Sequence, residues 1–182
     1  MVDQITVSEN EKNSVVAVFE THEAAESAVR QLDKAGVDMH TLSIVGQGYE
    51  KEEKVLGYYT TGDRIKLWGK RGAFWGGIWG WLFGAAFFMI PGVGQIAVAG
   101  PLVAGLVGAL RGAAIVGGLS ALGGALSGLG IPKDSVIRYE AAIQADQFVV
   151  IAQGTEAEVS RARSILAGAN PTTLDEHVAV PA

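Results

Sequence analysis

The segment SVVAVFETHEAAESAVRQLDKAG, which runs from Ser14 to Gly36, predicts a β-strand followed directly by an α-helix. Its first part, Ser14 to Glu20, is mostly β-branched or aromatic, and such residues favour a strand. Thr21 can cap a helix from about His22 to Lys34, and Gly36 can end that helix in the left-handed conformation. The segment is therefore the first half of a predicted strand–helix–strand unit.

The same pattern returns near the C-terminus. Leu42 to Val45 completes the first unit with a second predicted strand, and Phe148 to Ala152 (FVVIA) again favours a strand. Thr155 and Glu158 have the spacing of a capping box, which predicts a helix to about Leu166. The recurrence indicates that the two ends of the chain form halves of one sheet.

The flanks together predict the fold class α+β. The form we expect is a split ferredoxin-like α/β sandwich interrupted by a long glycine-rich hydrophobic helical hairpin. Pro132 to Gln144 predicts a third, amphipathic helix after the interruption. The predicted segments are a flexible N-terminus (1–13), the first half of the α/β domain (14–71), the hydrophobic glycine-zipper insert (72–130), the second half (131–169) and a flexible tail (170–182).

The interruption is almost free of charge. Between Gly72 and Gly130 the one charged side chain is Arg111, although the chain has 14 Lys and Arg and 19 Asp and Glu. Gly72 to Ile90 (GAFWGGIWGWLFGAAFFMI) would be about 28 Å long as a helix, close to the roughly 30 Å of a bilayer's hydrocarbon core. Val93 to Leu110 and Gly112 to Gly130 predict two further helical pieces.

Small and aromatic residues recur in this block at helical spacing. Small residues four apart allow helices to approach closely, as in a glycine zipper. The predicted helix-packing residues are Gly72, Gly76, Gly80, Gly84, Gly100, Ala104, Gly108 and Gly112, and the neighbouring aromatic stripe is Trp75, Trp79, Phe83 and Phe87. This spacing predicts either membrane helices or tight self-association.

The predicted location follows from the flanks. Because both halves complete one sheet, they must lie on one side of a membrane, and the number of crossings must be even. Arg64, Lys66, Lys70 and Arg71 form a cationic anchor that would place both halves on the cytoplasmic side of the cytoplasmic membrane. Arg111 is then an intramembrane charge, either functional or, as we favour, a boundary residue that extends to the surface.

Other classes of function find little support in the sequence. The chain has no cysteine and a net charge of −5, which exclude thiolate chemistry and argue against a nucleic-acid partner. Gly46-Gln47-Gly48 lacks the third glycine of a dinucleotide fingerprint, and His22, His40 and His177 lack the spacing of metal ligands. We therefore expect no catalytic residues, no metal and no cofactor.

Three segments give the chain a family resemblance. VVAVFETHEAAESAV near the start, the glycine-rich insert, and GIPKDSVIRYEAAIQADQFVVIAQGTEAEVSRARSIL near the end resemble the bacterial general stress, or heat-induced stress, protein family. The resemblance covers roughly Ser14 to Leu166. It implies a stress-linked protein that is membrane-associated or self-assembling, and it supplies no catalytic residues.

The leading hypothesis is a membrane-associated, self-assembling structural protein of the stress response, with itself and a lipid bilayer as partners. It would oligomerise through glycine-zipper helices. The first alternative is a homo-oligomeric ring, tube or shell in which the apolar inserts form the subunit interfaces. The second is a small-molecule-binding regulatory module, an argument from fold analogy.

Overall fold

The computed structural model describes residues 13–47, 86–90, 93–112 and 120–178. Within these residues the fold is α+β, which confirms the predicted class: one antiparallel sheet carries helices on both faces. The predictions for 1–12, 48–85 and 113–119 lie outside the described residues. The elements in chain order are β1 (Asn13–Phe19), α1 (His22–Lys34), a 3-10 turn (Met39–Thr41), β2 (Leu42–Gln47), β3 (Ala86–Ile90), β4 (Gly94–Ala99), α2 (Leu102–Gly112), α3 (Ala121–Ser127), α4 (Lys133–Gln144), β5 (Phe148–Gly154), α5 (Glu156–Gly168) and β6 (Thr173–His177).

The strand order of the sheet is β3-β4-β2-β5-β1-β6, and each pair of neighbours is antiparallel. β5 therefore lies between β1 and β2, which α1 connects. In the same way β1 lies between β5 and β6, which α5 connects. The two strand–helix–strand units interlock, so neither half of the chain forms its part of the sheet alone.

Both faces of the sheet are buried. Val15, Ala17 and Phe19 of β1 face α1 and α5, whereas Val16 and Val18 face the opposite way, toward α2, α3 and α4. A strand that is covered on both sides needs apolar residues at consecutive positions, not at every second one. The apolar runs of β1 and β5 have this cause.

Local capping sets the helix starts that the sequence predicts. The Thr21 hydroxyl accepts from the backbone N–H of Ala24 at 3.2 Å, and the capping box of Thr155 and Glu158 is complete. The third predicted helix is also confirmed, since α4 begins directly after Pro132. Each of these signals depends on residues within one turn of the helix start.

The apolar block departs from the predicted helices. Ala86–Ile90 and Gly94–Ala99 are strands that form a β-hairpin, with Ile90 paired to Gly94, and β4 continues the sheet beside β2. The predictions of one helix over Gly72–Ile90 and another over Val93–Leu110 are therefore wrong for 86–90 and 94–99. Ile96 to Ala99 are all buried, and a strand buried on both faces has no alternation that would distinguish it from a helix.

The membrane prediction is also wrong. No helix in the described parts of the chain is both long and apolar enough to cross a bilayer. α2 has 11 residues, about 16 Å, against the roughly 30 Å that a crossing needs. This finding overturns the membrane-associated, self-assembling structural function, the predicted transmembrane helices and the cytoplasmic-membrane location with both halves facing the cytoplasm.

The predicted flexible tail contains a strand. Thr173–His177 forms β6, an edge strand that pairs along β1 from Thr173 with Val18 to His177 with Ser14. Thr172 fixes its start, because its N–H and its hydroxyl both donate to the carbonyl of Val18, at 2.8 and 3.0 Å. The prediction failed because β6 alternates polar and apolar residues weakly, and its pairing is determined by β1, far away in the sequence.

Candidate polar binding site

A buried serine lies near the start of β1. Ser14 is fully buried, and its Oγ has no hydrogen-bond partner among the described residues. It lies opposite Gln153 of β5 and His177 of β6. Residues that face each other on antiparallel strands point to the same side of the sheet. Here that side is the one to which Val16 points, and α4 covers it. Such a hydroxyl lowers stability by about 1–3 kcal/mol, so the position needs an explanation.

Tyr139 of α4 connects the helix to β6 beside Ser14. Its hydroxyl lies 2.9 Å from Asp175 Oδ2 and 2.7 Å from His177 Nε2. A phenol carries one proton, which it donates to the carboxylate, so the imidazole donates its Nε2–H to the phenol oxygen. The hydrogen bonds therefore favour the Nε2–H tautomer of His177, with Nδ1 as an acceptor.

Burial determines the protonation of this group. Burial, followed by the hydrogen bond to Asp175, raises the pKa of Tyr139 well above its usual range, so Tyr139 remains a neutral donor. Burial also lowers the pKa of His177 below the ordinary value of 6.5, although the charge of Asp175 opposes that shift. Both side chains are therefore neutral near neutral pH.

Arg138 forms the outer rim of the same cluster. Its Nη2 donates to Ser135 Oγ at 3.0 Å and lies 3.3 Å from Asp175 Oδ2. Its Cζ lies 6.0 Å from the centre of the Tyr139 ring, and the side chain is 59% exposed. Nε and Nη1 donate to no acceptor among the described residues, so the guanidinium keeps donors for a further partner.

We call these six residues the polar cluster: Ser14, Ser135, Arg138, Tyr139, Asp175 and His177. They come from β1, α4 and β6, which the sheet register and the packing of α4 bring together. The one carboxylate already receives two donors, Tyr139 and Arg138. What the cluster can still offer a ligand is mainly hydrogen-bond donors and a positive charge.

The structure describes only the second half of the predicted helix-packing residues. Gly72, Gly76, Gly80 and Gly84 lie outside the described residues. Gly100 lies in the bend between β4 and α2 and not in a helix, Ala104 and Gly108 lie on the exposed side of α2, and Gly112 ends that helix. The predicted role of Ala104 and Gly108 in packing against a second copy of the chain remains a prediction.

Small residues do form one helix contact, but at other positions. Gly105 of α2 faces the Cβ of Ala125, and Gly124 of α3 faces the Cβ of Ala109. In each case an added Cβ would lie 3.8 Å from that atom, in ordinary van der Waals contact. The two helices therefore pack within the chain along a side that the predicted stripe does not include.

The other predicted residues are placed as follows. Trp75, Trp79 and Phe83 of the aromatic stripe and the whole cationic anchor, Arg64, Lys66, Lys70 and Arg71, lie outside the described residues. Phe87 lies in β3, paired with Ala97, and so is not part of a helical stripe. Arg111 belongs to the last turn of α2, and its assignment as an intramembrane charge is overturned with the membrane helices.

Sequence reasoning missed the polar cluster. Tyr139 lies within the predicted amphipathic helix Pro132 to Gln144 but is given no role there, and His177 is considered only as a metal ligand. One local signal was available: Asp175 and His177 are two apart, so a strand would place both on one face. That signal needed the tail to be assigned as a strand first.

The fold and the cluster define an α+β domain in which helices cover both faces of one antiparallel sheet. Residues 14–87 match the family model of the heat-induced stress protein YflT domain, which confirms the resemblance over that segment. The match covers less than half of the chain, and Ser14 is the cluster residue inside it. It supports a link to stress response. No curated protein and no solved structure matches the chain significantly.

Proposed function

We propose that the protein is a small-molecule-binding module of the stress response, not an enzyme, and that the polar cluster binds a ligand that carries an oxyanion group. The observation that carries this proposal is the fully buried hydroxyl of Ser14, which has no hydrogen-bond partner among the described residues and lies on the same face as Tyr139 and His177. A ligand oxygen would accept from that hydroxyl. Its charge would pair with Arg138, in competition with Asp175.

The strand order supports a ferredoxin-like core for this module. β1, α1, β2, β5, α5 and β6 give the order β2-β5-β1-β6, which is the arrangement of a split β-α-β-β-α-β sandwich. In this assignment β3, β4 and α2 to α4 are an insertion between the second and third core strands. The insertion covers most of a sheet face that a two-layer sandwich leaves open, and the polar cluster lies toward the edge of that cover.

The state of Ser14 favours binding over catalysis. A nucleophilic serine is activated by a base within hydrogen-bond reach. The Oγ of Ser14 makes no hydrogen bond to His177 or to any other described residue, and it is fully buried. His177 Nε2 is instead engaged by Tyr139. A hydroxyl in this environment can bind a ligand through one hydrogen bond without reacting with it.

Binding can be tested with sulfate as the oxyanion probe. Amide and side-chain NMR shifts would be followed during a sulfate titration at constant ionic strength, with chloride as the balancing salt. We expect shifts centred on Ser14, Arg138 and His177. Arg138→Gln should weaken binding about tenfold, because one charge-assisted hydrogen bond contributes about 1.5–3 kcal/mol.

Arg163 provides a matched control on the opposite face of β6. It pairs with Glu176 at 3.5 Å and is 52% exposed, close to the 3.3 Å and 59% of Arg138. Arg163→Gln removes the same charge from a helix on the other side of β6, so it should leave sulfate binding unchanged. Equal losses in both variants, or shifts spread over the whole surface, would show general charge screening and would reject the proposed site.

Ser14→Ala should separate stability from binding. We expect the free energy of unfolding to rise by about 1 kcal/mol, because the variant no longer buries an unpaired hydroxyl. Sulfate binding should weaken in the same variant. Urea unfolding measures the first effect and the NMR titration the second. A loss of stability would indicate that the hydroxyl has a partner, and it would remove the basis of the proposed function.

A further inference from the structure

His177 lies beside Ser14 at the edge of the sheet. The two residues are partners across β6 and β1, and the imidazole also contacts the ring of Tyr139 edge-on, with centroids 6.0 Å apart. We infer that His177 is a proton-operated gate: protonation at Nδ1 makes it unfavourable to keep the ring buried, and this favours a state in which the end of β6 has left Tyr139 and Ser14 is uncovered. This inference rests on the proposed function, since it concerns access to the same site.

The geometry of β6 allows one end to open separately. The strand has five residues and pairs with β1 on one side, while no described strand pairs with its outer edge. Its start is held by the two hydrogen bonds from Thr172 to Val18. At the other end Tyr139 holds the side chain of His177, and the next residue, Val178, is 63% exposed. Opening therefore begins at His177.

Burial of the His177 ring opposes its protonation in the closed state, and the charged and titratable groups around the ring act in both directions. Arg138 and Tyr139 face it from α4, Asp175 from its own strand, and β1 contributes the uncharged Ser14. Burial lowers the pKa of His177 most, the charge of Arg138 lowers it further, and Asp175 offsets part of the effect. Moving the ring into water removes the burial, so the open state binds the proton more tightly.

The direction of the pH effect follows from linkage. The ordinary pKa of 6.5 applies to His177 in the open state, and the closed state has a lowered pKa. At pH values between these two, the open state carries one proton more than the closed state. The closed state is therefore fully favoured above pH 6.5, and its stability relative to the open state decreases as the pH falls. One proton gives a change of about tenfold in the opening equilibrium per pH unit, and the change levels off below the lowered pKa.

Amide hydrogen exchange of the full chain, corrected for the intrinsic pH dependence, would measure this opening. We expect the protection of the last amides of β6 to fall by up to about tenfold per pH unit below 6.5, while the central amides of β5 stay protected. His177→Gln keeps a side-chain donor for Tyr139 and removes the titration, so its β6 protection should not depend on pH. An acid response that persists in this variant would overturn the gate.

His40→Gln is the matched control. His40 is 80% exposed beside Asp38, just before β2, and β5 and β1 separate β2 from β6, so its replacement should leave the acid response of β6 unchanged. Sulfate keeps its charge over this pH range, and a titration at each pH distinguishes the two proposals. If sulfate binds equally above and below pH 6.5 while β6 stays closed at both, the gate alone is contradicted. Opening of β6 without sulfate shifts at the cluster contradicts the proposed function alone.

Discussion

Replacing Gly100 by alanine should lower the free energy of unfolding by at least about 3 kcal/mol. Gly100 has φ +93°, a conformation that residues with a Cβ rarely adopt. An added Cβ would lie 2.1 Å from the carbonyl oxygen of Leu42 and 2.9 Å from the Cα of Ser43. Both are backbone atoms of β2, so β2 and β4 would have to move apart. Urea unfolding followed by circular dichroism measures the loss.

Position 100 also sets the start of α2. The N–H of Leu102 donates to the Oγ of Ser43 at 3.1 Å in the buried interior, and this contact holds the helix against β2. Displacing β2 would break that hydrogen bond as well. The matched control is Gly108→Ala on the exposed side of α2, where an added Cβ has no atom within 4 Å. This variant should gain up to about 1 kcal/mol from helix propensity; a Gly100→Ala variant as stable as the natural protein would contradict the geometry of the bend.

The parts of the fold that could be predicted are those with a local cause. Thr21 and Thr155 each satisfy backbone donors within one helical turn, and the β-branched runs beside them form the central strands. β4 could not be identified in this way. Its residues from Ile96 to Ala99 are buried on both sides, and their consecutive apolar character arises only because α2 and α3 cover one face of the sheet.

The candidate site depends even more on the tertiary structure. Ser14 and Tyr139 are far apart in sequence, and β6 reaches them only through its register with β1. A serine at the start of an apolar strand gives no signal of its own. It becomes informative once the packing shows that its hydroxyl is buried and has no hydrogen-bond partner in the described part of the chain. Sequence spacing could not have shown that.

Replacing Tyr139 by phenylalanine should lower the free energy of unfolding by about 2 kcal/mol. The ring and its contact with His177 remain, but the hydroxyl that joins Asp175 to His177 is lost. The partly buried carboxylate then keeps only Arg138, and the Nε2–H of His177 has no acceptor. Because a donor left unpaired costs more than a hydrogen bond contributes, the effect exceeds that of an ordinary exposed hydroxyl.

Ser164→Ala is the control that measures how much an ordinary exposed hydroxyl contributes to the free energy of unfolding. Ser164 donates to the carbonyl of Ser160 at 3.1 Å on the exposed side of α5, and its loss should change stability by less than about 0.5 kcal/mol.

Combining Tyr139→Phe with Asp175→Asn tests the network directly. If Tyr139 acts through the carboxylate, the double variant should lose less stability than the sum of the two single changes, by about 0.5–3 kcal/mol. Strict additivity would mean that the two side chains contribute independently, and it would contradict a network in which Tyr139 acts through Asp175.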